Sequence, residues 1–335
     1  MSNKDIKTIK LGICGAGLCA TNFHLPALKS LSDYFTPVAI SSSKPDAAIV
    51  FAGTPDRRLR QYVHWQDLVS DDEVEAVLCS YPYFLSADII KFCVEHGKHI
   101  LVEKPLADSI DAANMLGNMD CQNCVVGVAE NWLYLESVDR LKYLLSSGEI
   151  GTLQAVLISS LYSMQEDSEY LTKSTWRKTA KGGILLDRAI HTIAFEHAVV
   201  GKVSRVCGLT CSVRETLGES DTMMALLQHE NGVIGTINIC ASASNISPGY
   251  SLAFIGTTGT IKVSGLMTHI VVTNERGSKT YELDPDDGGY RNELLDFYYA
   301  ITNGSSIKSS LQRAAIDLRT ALAAVEFPGQ WVSVS

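Results

Sequence analysis

The sequence is short of positive charge: 28 Lys and Arg stand against 37 Asp and Glu, a formal net charge of −9. Binding a phosphate backbone needs clustered cations, and no Lys/Arg run occurs, so nucleic acid is not an expected partner. Uninterrupted apolar runs long enough to cross a bilayer are lacking too, and the opening Met1-Ser-Asn-Lys-Asp-Ile-Lys7 has no apolar leader core. The expectation is a cytoplasmic protein with no membrane partner. Cysteine is odd in number, nine in all, and lies mostly in apolar stretches, which fits reduced core thiols better than a disulfide framework. Cys121-Gln-Asn-Cys124 has no second CxxC or His pair to complete a metal site, so no metal is expected. Internal repeats and low-complexity linkers are also missing.

What is present describes a globular chain: 335 residues, 46% apolar and 19% charged. That length exceeds the usual single core and favours two domains. Strand patterns at 8–14, 36–40, near 62–64, 75–79, 98–102 and 124–129 alternate with helical ones, including 65–72 and 87–96. A helical or irregular stretch is expected up to Asp56. Such alternation implies a parallel, doubly wound sheet. A helix from Leu135 to Ser146 follows, and from Gly151 the strands lengthen and alternate at 152–162, 203–213, 222–229, 233–240, 250–256 and 259–263. These predict a mostly antiparallel sheet with one covered face. A final helical region over 291–327 closes the chain. The expected division is an N-terminal Rossmann domain over 1–128 and a C-terminal α/β domain with a large open sheet over 129–335.

Three motifs carry chemistry. Gly15-Ala16-Gly17-Leu18-Cys19-Ala20 is GxGxxA between a strand and a helix, where Gly15 and Gly17 let the backbone approach a pyrophosphate that the helix N-terminus then attracts. After the second strand, where an NAD enzyme usually carries an acid for the ribose 2′-OH, the chain reads Ser41-Ser42-Ser43-Lys44. Hydroxyls and a lysine suit a 2′-phosphate, so NADP is favoured over NAD. The apolar strand to Val102 ends in Glu103-Lys104-Pro105, a charged pair at the carboxyl end of a strand, where ligands of such sheets bind; a solvated strand end is the plainer reading. Beyond Gly182-Gly183, Asp187 and His191 share one helix face a turn apart, Asp187 near the helix N-terminus and His191 able to exchange a proton near neutral pH. A surface i,i+4 pair is the plainer reading there too.

Together these residues resemble the glucose-fructose oxidoreductase / inositol dehydrogenase / MocA family along nearly the whole chain. The resemblance is carried by Gly15-Ala-Gly17-Leu-Cys-Ala20, Gly97-Lys-His-Ile-Leu-Val-Glu103-Lys104-Pro105, Ser147-Gly-Glu-Ile-Gly151, Trp176-Arg177 and Gly182-Gly183-Ile-Leu-Leu-Asp187-Arg-Ala-Ile-His191. It implies an NAD(P)-dependent enzyme that transfers a hydride between nicotinamide and a secondary alcohol or ketone of a sugar, amino sugar, cyclitol or related cyclic substrate. Lys104 matches the family's active-site lysine, His191 its acid/base and Asp187 the acid beside it, while Glu103 would lie near the nicotinamide ribose. The family's Thr-Pro-Asn is Tyr81-Pro82-Tyr83 here, the His often found next is Ser86, and the Asp often three beyond the catalytic His is Ala194. Tyr81, Pro82 and Lys104 then fall among the cofactor contacts, and Tyr83, Trp132, Trp176 and Arg177 are candidate substrate contacts. The resemblance also implies a homo-oligomer, dimer or tetramer, through the second sheet. An imine or conjugated-ring reductase, or a non-catalytic NAD(P)-sensing regulator, could use the same fold.

Overall fold

The computed structural model describes residues 7–53, 58–173, 176–180, 182–243 and 249–334, without the side chains of 178 and 179. Asp56, where the first irregular stretch was expected to end, lies outside the described residues. The chain divides into two compact units, Met1–Tyr134 with Gly289–Ala315, and Leu135–Gly288 with Ile316–Ser335. Set beside the expected single boundary near residue 128, this division comes six residues later and returns a C-terminal segment to the first unit.

The first unit holds a six-stranded parallel sheet: β1 (Ile9–Cys14), β2 (Phe35–Ser41), β3 (Arg60–Tyr62), β4 (Ala76–Cys79), β5 (His99–Glu103) and β6 (Val126–Ala129). Their order is β3-β2-β1-β4-β5-β6, the Rossmann arrangement. Strands covered on both faces must be apolar throughout, and Ile13, Val77, Leu78, Ile100, Leu101 and Val102 have no exposed surface. The third strand stops at Tyr62, paired with Ser41, and Val63, expected within it, is exposed. Strand order reverses between β1 and β4, so a crevice opens at the carboxyl ends Cys14 and Cys79.

The expected final helical region is two helices, Tyr290–Asn303 and Leu311–Glu326, the first ended by Gly304 at φ 68°. In the first, Leu294, Phe297 and Tyr298 join the core cluster of Leu25, Leu28 and Phe35, with Phe297 stacked on Phe35 at 6.5 Å and Tyr298 edge-on to Tyr34 at 4.9 Å. Burying each such side chain contributes about 1.5–3 kcal/mol, enough to fix this helix to the first unit. Its apolar face is legible in the sequence, but its partner is not.

The second unit is built on nine strands: β7 (Leu153–Leu161), β8 (Val203–Cys211), β9 (Thr222–His229), β10 (Ile234–Cys240), β11 (Gly249–Gly256), β12 (Gly259–Ser264), β13 (His269–Asn274), β14 (Gly277–Glu282) and β15 (Val332–Ser333). Their order is β14-β13-β12-β11-β7-β10-β9-β8-β15, antiparallel except where β7 meets β10. Strands β13, β14 and β15 were not expected. In β14 nearly every residue is exposed, so no apolar alternation marks it. The helix Gly183–Val199 lies against one face, where a Cβ on Gly235 of β10 would sit 2.3 Å from the Glu196 carboxylate. On the other face Leu157, Leu209, Met224, Leu226 and Ile234 are exposed. No helix among the described residues is long and apolar enough to cross a membrane.

Candidate active site

At the crevice of the first unit, Gly15 sits at φ +94° with its missing Cβ 3.2 Å from the Ser80 carbonyl, a conformation and a space that suit glycine. A Cβ on Gly17 would meet nothing within 4 Å, so the loop's outer face is open to a close ligand. Leu18 and Cys19 lead into a wide π turn, Ala20–His24, which continues as the helix Leu25–Ser30. Across the crevice Ser41 and Ser42 are buried and Ser43 is exposed. Lys44 donates from Nζ to the Ala16 carbonyl at 2.5 Å, and the Gln61 side-chain amide donates to the Ser42 and Lys44 carbonyls at 3.0 and 2.9 Å. The Tyr81 hydroxyl lies 3.0 Å from the Ser41 hydroxyl and donates to the Ser41 carbonyl at 3.1 Å, tying the end of β4 to the end of β2. An open glycine loop facing polar, acid-free side chains fits a dinucleotide phosphate. Pro82 follows partly buried, and Tyr83 is 4% exposed.

The charged pair at the end of β5 is not a solvated strand end. Glu103 is 9% exposed and accepts from His24 Nε2 at 2.6 Å and from Cys19 Sγ at 2.8 Å. Burial pushes its carboxyl pKa up, but the His24 hydrogen bond, the charges of His24 and Lys104 and the Cys19 hydrogen bond outweigh burial, so it falls below the ordinary 4.5. Burial and the Glu103 carboxylate push the Cys19 thiol well above 9.0, so Cys19 is a donor and not a thiolate. Lys104, partly buried, follows at once and is joined to Pro105 by a cis bond. Cys19, His24 and Glu103 form a set of metal-type ligand atoms within 4.8 Å of one another, already spanned by their mutual hydrogen bonds. Cys121 and Cys124, like the other seven cysteines, are free thiols.

In the second unit, the Gly183–Val199 helix is buried almost all round, which rules out the surface reading of Asp187 and His191. His191 is 9% exposed and the Asp187 side chain 13%. The helix begins at Gly183, after Gly182 at φ +70°, so Asp187 is its fifth residue, just past the first turn. Before it, Trp176 and Arg177 open the short helix Trp176–Thr179, and Arg177 Nε lies 3.8 Å from Asp187 Oδ2. Trp132, in the first unit's turn Asn131–Tyr134, is partly buried, its backbone N–H donating to Glu130 Oε1 at 3.3 Å.

Sequence reasoning missed Cys19, His24 and Gln61. Ala20, His24 and Leu28 are buried at a four-residue spacing, so a histidine on the apolar stripe behind the glycine loop was the available signal for His24. It missed Glu196 and His229 as well, a fully buried pair with Nε2 3.0 Å from Oε1, and the pair His197–Asp317 at 2.5 Å.

The chain is 29% identical over 309 residues to an uncharacterised protein of Saccharomyces cerevisiae, covering 88% of each. It is 28% identical over 232 residues to dTDP-3,4-didehydro-2,6-dideoxy-alpha-D-glucose 3-reductase of Saccharopolyspora spinosa, covering 68% of this chain and 67% of that one. The crystal structure of an oxidoreductase from Thermotoga maritima superposes with a TM-score of 0.89 at 26% identity, covering 98% of this chain and 99% of that one. Residues 9–130 match the family described as oxidoreductase, NAD-binding Rossmann fold, and residues 138–262 match the GFO/IDH/MocA C-terminal domain. With both of its domains matched, the chain belongs to the GFO/IDH/MocA oxidoreductase family.

Proposed function

We propose that the chain is an NADP-preferring oxidoreductase acting on a secondary alcohol or ketone of a sugar, amino sugar, cyclitol or related cyclic molecule. The observation that carries this reading is the buried Glu103 carboxylate, held by His24 and Cys19 directly beside Lys104 at the carboxyl end of β5. The Saccharopolyspora relative is named as a reductase of a deoxy sugar nucleotide, which favours a sugar-like substrate. Gly15, Gly17, Leu18, Ala20, Tyr81, Pro82 and Glu103 would hold the dinucleotide, with Ser42, Ser43 and Lys44 at its 2′-phosphate. That dinucleotide supplies the hydride acceptor or donor. In the oxidative direction His191 takes the proton of the substrate hydroxyl, a role contributing about 10²–10⁴-fold. Lys104 donates to the same oxygen and stabilises the negative charge that develops on it, and Asp187 orients the imidazole or a neighbouring hydroxyl.

The test is absorbance at the reduced-nicotinamide band while the chain is offered polyols, amino sugars and keto sugars with NADP or NAD. Turnover with NADP at the higher kcat/KM is expected; tight cofactor binding with no turnover on any member would instead favour a sensor. The exposed Leu157, Leu209, Met224, Leu226 and Ile234 suit a second copy of the same sheet, giving a homo-oligomer. Sedimentation should show Leu226→Glu lighter than the native protein, and a native monomer removes this assembly.

A further inference from the structure

We infer that the substrate carries an anionic group with paired oxygens, a carboxylate or a phosphate, received by Arg177 and Arg188 in the second unit. This rests on the proposed reading of Asp187 and His191 as residues that face substrate.

Asp187 is the ion-pair partner of Arg177 at 3.8 Å and acts on Arg188 only through its charge. Arg177 is stacked on two rings, its guanidinium carbon 4.4 Å from the Trp176 centroid and 4.8 Å from that of Tyr170. Its Nε is buried with no hydrogen-bond partner among the described residues, because Asp187 Oδ2 at 3.8 Å is beyond hydrogen-bonding reach. Arg188, the next residue on the helix, lies over the Tyr162 ring at 4.4 Å and forms no ion pair among the described residues. The Tyr162 hydroxyl is buried and has Arg188 as its side-chain hydrogen-bond partner, which leaves its own O–H to donate.

A guanidinium moved out of water needs a counter-charge or a full set of acceptors, and among the described residues Arg188 has no ion-pair partner. Stacking on an aromatic face recovers part of the cost but uses the flat side of the guanidinium. The in-plane N–H fork stays available, and its geometry matches two oxygens of one carboxylate or phosphate. With the Tyr162 hydroxyl as a further donor, the site offers an excess of donors, as an anion needs. A neutral ring hydroxyl, which both donates and accepts, would leave that excess unmet.

The experiment is calorimetric titration of the cofactor-loaded chain with D-glucose, D-glucuronate and D-glucose 6-phosphate, and with the acid and phosphate forms of an amino sugar beside their neutral parent. At least one anionic member should bind roughly 10- to 100-fold tighter than its parent, the scale of one charge-assisted hydrogen-bond pair. Whether the carboxylate or the phosphate series wins identifies the group. Arg188→Met should reduce that preference to within about twofold, with reduced-cofactor fluorescence titration showing that the variant still folds and binds nucleotide. Arg188→Lys, which keeps the charge and loses the fork, should retain an intermediate preference. A panel in which no anionic member binds better than its parent overturns the inference, as does a preference that survives Arg177→Met and Arg188→Met. Hydride transfer without anion preference removes this inference alone, whereas anion preference without hydride transfer on any member removes the proposed reaction instead.

Discussion

Two buried Glu–His pairs, one in each unit, show how similar contacts move a carboxyl pKa in opposite directions. Glu103 meets His24 at 2.6 Å and Glu196 meets His229 at 3.0 Å, and both histidines are fully enclosed. Burial acts first on each carboxyl and raises its pKa. At Glu103 the hydrogen bond and charge of His24, the Lys104 ammonium and the Cys19 thiol overcome burial, and the group stays an anion. At Glu196 the hydrogen bond and charge of His229 and the charge of His197 fall short, and the pKa ends above 4.5. His229 Nδ1 lies 2.8 Å from the Gly201 carbonyl, which holds its ring in place. The difference lies in the extra partners: a lysine and a thiol stand beside one carboxylate, while two histidines stand beside the other, which ties helix to sheet.

The largest break in this comparison is Glu103→Gln. It removes the anion to which His24 and Cys19 donate and should cost roughly 1.5–3 kcal/mol, the value of hydrogen bonds to a charged group, read as a lower urea midpoint at neutral pH. A cost equal to that of Glu196→Gln would erase the distinction. For Glu196→Gln, a neutral isostere replaces a carboxyl that burial already pushes towards neutrality, so the cost should stay below about 1 kcal/mol.

Stability measured against pH sharpens the contrast, because the two groups act with opposite sign. The depressed pKa of Glu103 contributes stability that is present above 4.5 and is lost as pH falls through its folded value. The raised pKa of Glu196 contributes stability that is present below 4.5 and is lost as pH rises through its folded value. Urea midpoints followed from about pH 4 to about pH 8 should therefore show Glu196→Gln gaining on the native protein as pH rises. Equal slopes would mean that Glu196 is not held near its neutral form.

Much of the fold was legible because local pattern and tertiary outcome agree in it. The βαβ rhythm, the glycine loop and the apolar strand before Glu103-Lys104 each follow from residues near in sequence. The edge strand β14 was not, since an exposed strand of Gly277-Ser-Lys-Thr-Tyr-Glu282 carries no alternation. Nor could periodicity assign Tyr290–Asn303 to the first unit, because that depends on packing against Phe35, far away in the chain. The same limit hid the electrostatics of the site. Lys104, Asp187 and His191 were marked by motif, but Glu103 takes its ionisation from His24, 79 residues away. Arg188 reads as an ordinary helix residue until Tyr162 is found beneath it.

In the proposed reaction Lys104 and His191 act on the substrate, and their main contribution is to chemistry and not to holding the dinucleotide. Turnover and reduced-cofactor affinity measured side by side on native protein, Lys104→Met and His191→Ala test it most directly. Cofactor Kd should stay within about twofold of native in both variants, and kcat should fall by roughly 10²–10⁴-fold for His191→Ala, with a comparable loss for Lys104→Met in both directions. Native-like kcat in either variant, or a fall in activity explained wholly by weaker cofactor binding, would contradict it.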